Sequence, residues 1–124
     1  MNLDNLDKNA TIQEFQVICY QIADEHGFHV ARGLDDNPED LNGHGMGLAL
    51  IHSEVSEALE CLREGHLRTT YREDGKPEGF ASELADIVIR VLDTAQTLEI
   101  DLGFELDAKI QYNNSRPFMH GKLA

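Results

Sequence analysis

The chain has 124 residues, 23 acidic and 10 basic, with a formal charge of −13 and 41% hydrophobic residues. That length suits a single domain, read here as 1–124, with no room for a second independent core. The charge excludes nucleic-acid polymers and anionic membrane surfaces as natural partners, since both are gripped by clustered Lys and Arg; a small phosphorylated ligand is admitted if divalent cations stand between the two sets of negative charge.

The opening MNLDNLDKNA has neither the basic nor the apolar region of a secretory signal, and no run of about 18 apolar residues spans a membrane. A soluble, cytoplasmic protein is expected. Helical periodicity then recurs in four segments, and no segment alternates with period 2. The first helix is predicted from Thr11, where TIQE has the form of a capping box closed by Glu14; Ile12, Phe15, Cys19 and Ile22 mark one face and Gly27 is the stop. Residues 28–43, FHVARGLDDNPEDLNG, combine glycines, a proline and four acids, and read as a loop. A second helix is expected from Met46 to Glu64, with Leu48, Ile51, Val55, Ala58, Leu59 and Leu62 at helical spacing. The polar HLRTTYREDGKPEG connects it to a third helix, Phe80 to Leu98, and a fourth runs from Leu102 to Asn114, ending ahead of Pro117. Cys19 and Cys61 both fall in apolar helical patterns. A disulfide is compatible with the sequence, but two buried, reduced thiols suit a cytosolic protein better.

On the third helix, Leu84, Ile87, Val88, Val91, Leu92, Ala95 and Leu98 cover one broad arc, which Ala85 and Ile89 widen. Only a narrow stripe of Glu83, Asp86, Arg90, Asp93 and Thr97 is polar. A helix so apolar must be packed on more than one side, by its own bundle and by a second subunit, and its acidic stripe should border a cleft.

Two carboxylate pairs stand out, Glu54 with Glu57 on the second helix and Glu83 with Asp86 on the third. Spaced i,i+3, each pair is adjacent on its helix, and like charges so placed repel by a few tenths of a kcal/mol in water, more when enclosed. A divalent cation removes that penalty. Four carboxylates from two antiparallel helices form a hard-oxygen ligand set suited to Mg²⁺ or Mn²⁺. The opposing reading is a solvated acidic face. A di-iron bundle would need Glu-x-x-His pairs, and the chain has none.

LIHSEVSEALE, GFASELADIVIRVLD and KIQYNNSRPFMHGK, taken together, resemble the MazG-like branch of the all-α NTP pyrophosphatases. That family's pattern is ExxE, a spacer, then ExxD; here 25 residues separate Glu57 from Glu83. The likeness covers about residues 45–122. It implies an all-α, four-helix MazG-like bundle completed by oligomerisation as a homodimer or homotetramer. It also implies hydrolysis of a (d)NTP to the monophosphate and pyrophosphate, as nucleotide-pool house-cleaning. Glu54, Glu57, Glu83 and Asp86 would be the Mg²⁺ ligands, with Mn²⁺ as a substitute, and Glu54 or Glu57 would serve catalysis, Glu54 as general base. Some members carry a further Glu before the first of the motif, where this chain has Ser53. Lys109, Asn113 and Arg116 would hold the phosphates or the nucleotide; the competing role for these cations is to offset a helix dipole. Glu60 rotates away from the series. Tyr112 would stack on a base or pack, His120 would meet a neighbouring subunit's ligand or lie in a tail, and His44, His52, Arg63, Arg68 and Arg72 read as ordinary surface or core residues. The alternative from another class is a non-catalytic helical dimerisation module.

Overall fold

Thr11 opens the first helix by satisfying donors that a helix start leaves unpaired. Its Oγ1 accepts the Glu14 N–H at 3.1 Å, and Glu14 Oε1 accepts the Thr11 N–H at 3.4 Å, the reciprocal arrangement of a capping box. This helix, α1, spans Ile12–Glu25 in the computed structural model, which describes residues 1–117. Gly27 turns the chain with φ +79°, a conformation that costs a residue with a Cβ.

The segment 28–43, expected to be a loop, is more ordered than its composition suggests. A four-residue helix, α2, covers Phe28–Ala31. It closes on Gly33 at φ +71°, where Leu34 N–H reaches back to His29 O at 2.9 Å. The next helix, α3, runs Leu41–Arg63, five residues earlier at its start than the sequence indicates. Asp40 caps it, with Oδ2 accepting the Gly43 N–H at 2.9 Å. Three glycines in its first turns argue against helix by propensity, and a tertiary contact explains two of them. A Cβ at Gly43 would collide with the Arg32 carbonyl and stand 2.8 Å from Leu34 Cδ2, and one at Gly47 would collide with Arg32 Nη1. The glycines form a notch that seats the end of α2.

Within the polar connection, β1 (Thr70–Tyr71) and β2 (Pro77–Glu78) pair antiparallel, Thr70 opposite Glu78 and Tyr71 opposite Pro77. Helix α4 spans Phe80–Thr97. At its end Glu99 occupies the left-handed region at φ +55°. Glu99 N–H bonds Gln96 O at 3.0 Å and Ile100 N–H bonds Ala95 O at 2.8 Å, a Schellman closure with glutamate where glycine is usual. Helix α5 covers Leu102–Ser115, capped by Asp101 and stopping short of Pro117.

The described residues are thus mostly helical, with four long helices, the short α2 and a minimal hairpin. α4 lies against both α1 and α3, while α5 meets α1. The buried Gln16 ties these pieces together: its Nε2 donates to Ile100 O at 2.9 Å and its Oε1 accepts the Leu102 N–H at 3.1 Å. The apolar core is thin, comprising Cys19, Ala23, Leu34, Ala58, Leu92 and Ala95. Large apolar side chains on all five helices stay open, among them Leu48, Val55, Val88, Phe104 and Ile110. Both cysteines are free thiols, Cys19 buried and Cys61 half-buried. No helix of the described residues is long and apolar enough to cross a membrane.

Candidate metal centre

α3 and α4 pack side by side, and helical spacing turns Glu54, Glu57 and Glu83 toward one another at their interface. One carboxylate oxygen from each lies within 4.8 Å of the other two. Three negative groups so close repel strongly unless one is protonated or a cation intervenes. Glu83 carries the strain. Its Oε2 is buried with no hydrogen-bond partner among the described residues. Its carboxyl is pushed from the ordinary 4.5 up to about 7, first by burial, then by its hydrogen bond with Glu54 and the charges of Glu57, Glu54 and Asp86.

Asp86, the fourth carboxylate read from the sequence, stands outside that trio. It lines the adjacent cavity with Glu54. Its carboxyl is also raised, by burial first and then by Glu54, against the lowering effect of Arg90 and Lys76. Arg90, one turn further along α4, donates from Nε to Glu54 Oε1 at 3.1 Å. A cation of the chain itself therefore already meets one edge of the cluster.

The cavity that Glu54 alone of the trio lines, together with Asp86, has a volume of about 400 Å³, within the range of small-molecule sites. Ile22, Phe28, Met46, Leu50 and Ile89 give it apolar walls, and Asp86, Arg90 and Asp93 present the polar stripe of α4 to it. The stripe does border a cleft. At the far end lies a buried polar network that the sequence reading did not assemble. His29 is 2% exposed; its Nε2 meets Asp93 Oδ1 at 2.7 Å and its Nδ1 meets Asp24 Oδ1 at 3.1 Å. Arg32 donates from Nη2 to Asp93 Oδ2 at 3.3 Å and from Nε to Phe28 O at 3.2 Å. Thr97 Oγ1 donates to Asp93 O at 2.9 Å, and Tyr20 lies against the His29 ring at 4.6 Å between centroids. Asp93 was visible as an acid on an otherwise apolar helix. His29 and Arg32 were hidden in a segment read as loop, and the available signal was their i,i+3 spacing immediately after Gly27.

The remaining sequence candidates lie elsewhere. Lys109 and Asn113 are exposed on α5 and Arg116 is half-buried just beyond it; none of the three lines the cavity. Arg116 sits over the Tyr112 ring at 5.5 Å. Glu60 is exposed and pairs with Arg63 at 3.4 Å, and Arg72 faces Asp74 and Glu78, as expected of solvated residues. His44 Nε2 meets Pro38 O at 2.7 Å, His52 is exposed, and His120 lies outside the described residues. No protein-family model, curated protein or solved structure matches this chain.

Proposed function

We propose that the protein is a cytoplasmic, Mg²⁺-dependent nucleoside triphosphate pyrophosphohydrolase that converts a (d)NTP and water into the monophosphate and pyrophosphate. The observation that carries this reading is the convergence of Glu54, Glu57 and Glu83 within 4.8 Å beside a cavity of ligand size. The donor set fits a hard divalent ion. It consists of carboxylate oxygens only, and the partnerless buried Oε2 of Glu83 is an atom whose desolvation nothing else in the described residues offsets. Mn²⁺ suits the same set. Asp86 would join as a fourth ligand or hold a bound water.

When bound, Mg²⁺ supplies charge neutralisation on the phosphate chain and lowers the pKa of a nearby water. The chain's own residues do the rest. Glu54 accepts the proton of the attacking water as its oxygen bonds the α-phosphorus and the bond to the bridging oxygen of pyrophosphate breaks. Arg90 holds Glu54 in place for that transfer through the Nε hydrogen bond at 3.1 Å and adds positive charge beside the phosphates. The apolar walls exclude bulk water, which strengthens each charge interaction inside. Lys109, Asn113 and Arg116 enter this reading as phosphate-holding groups only if α5, or that of a second copy, faces the cavity.

The test is pyrophosphate release from a panel of ribo-, deoxyribo- and modified triphosphates, with and without Mg²⁺. Metal-dependent release is expected; its absence across the panel leaves the alternative, a non-catalytic dimerisation module. Association into a homodimer or homotetramer is also proposed, because the core is thin and Val88, Phe104 and Ile110 are each more than half exposed. Sedimentation at micromolar concentration is expected to show an oligomer, and a monomer there would refute it.

A further inference from the structure

The network at the far end of the cavity has no part in the chemistry just described, yet it is among the most buried polar structures in the protein. Asp93 and Arg32 side chains are 8% and 9% exposed, and both line the cavity. The notch at Gly43 and Gly47 is shaped to seat Arg32, since a Cβ at either position would collide with it. We propose that Arg32, braced by Asp93, is the floor of a nucleobase subsite, and that it selects bases presenting carbonyl acceptors over adenine, which has none. This rests on the nucleotide reading above and adds to it the identity of the recognised group.

Geometry and chemistry support it separately. Met46 and Glu54 on α3, and Asp93 and Asp86 on α4, border the two ends of the same cavity. At 1.5 Å rise per residue, seven or eight residues set those ends about 11 Å apart along the helices. That is the reach of a nucleotide from its α-phosphate, across the sugar, to the far edge of its base. The walls between are the side chains against which a flat heterocycle packs, Phe28, Leu50 and Ile89 among them. At the floor both Asp93 oxygens already have partners, His29 on Oδ1 and Arg32 on Oδ2. Arg32 brings five N–H donors and no acceptor, and only two are engaged among the described residues, by Phe28 O and Asp93. The floor therefore donates. Guanine offers two adjacent acceptors, O6 and N7, whereas adenine places its amino donor beside N7. Cytosine and uracil likewise offer carbonyl oxygens.

The experiment uses nucleosides, which have no phosphate to hydrolyse or to bind metal. Guanosine, cytidine, uridine and adenosine are titrated calorimetrically into the full chain without metal. The first three are expected to bind at least about tenfold tighter than adenosine. Arg32→Gln, and independently Gly47→Ala, which displaces the guanidinium without removing it, are expected to level that preference while circular dichroism retains the helices. The inference is overturned if adenosine binds as tightly as the others, if no nucleoside binds, or if the preference survives both variants. A preference without pyrophosphate release would sink the catalytic reading and leave the subsite; release without a preference would do the reverse.

Discussion

Glu83→Gln is expected to stabilise the metal-free protein while removing its Mg²⁺-dependent activity. The folded-state pKa of Glu83 is raised from 4.5 to about 7 by burial, the hydrogen bond with Glu54 and the surrounding carboxylates. Between those values the folded chain holds a proton that the unfolded chain has released, so stability falls as pH rises through that window and the full penalty stands above about 7. The neutral amide removes the penalty at every pH. The gain should be about 1 kcal/mol, well below what the shift alone converts to, because water reaches part of the carboxylate and screens its neighbours. The same change takes one charged ligand from the trio, and loss of a preorganised electrostatic stabiliser lowers turnover by about 10²- to 10³-fold. Thermal unfolding of parent and variant between pH 5 and 8, with and without Mg²⁺, reads the first effect, and pyrophosphate release reads the second. Destabilisation at pH 8 together with undiminished activity would dispose of the metal-centre assignment. Opposed effects on stability and activity are the usual mark of a functional site held against its own repulsion.

Asp93→Ala is expected to cost about 3–5 kcal/mol of folding stability, the loss typical when one partner of a buried charged pair is removed. His29 Nε2 and one Arg32 donor would lose their partner in a largely buried network. That is a large share of the stability of an ordinary domain. Asp93→Asn keeps the shape and one acceptor oxygen, and should fall between the two. Urea unfolding at constant slope measures both. A midpoint for Asp93→Ala unchanged from the parent would mean that the network contributes to specificity alone.

Local chemistry made parts of the fold legible and tertiary contact concealed others. The capping box at Thr11, the start of α4 after Gly79 and the end of α5 before Pro117 depend on residues adjacent in the chain, and all were readable. The start of α3 was not, because three glycines look like breakers until Arg32 is seen to need the space at two of them. The site divides in the same way. Glu54, Glu57 and Glu83 converge because i,i+3 periodicity on two neighbouring helices brings them together. Asp86 shares the periodicity but misses the trio and lines the adjacent cavity instead. His29 and Arg32 acquire meaning only against Asp93, more than 60 residues away.

The attachment of α5 has a consequence for Lys109, Asn113 and Arg116. This helix has no buried residue, and its first N–H is hydrogen-bonded to the Gln16 amide. Fourteen residues make an arm about 20 Å long. A swing of about 10° at the Leu102 end carries the tip through an arc of roughly 3–4 Å on that length, comparable to the whole span of the carboxylate trio. The reach of these three side chains thus depends on how α5 seats against α1, a contact that includes the Gln16 amide.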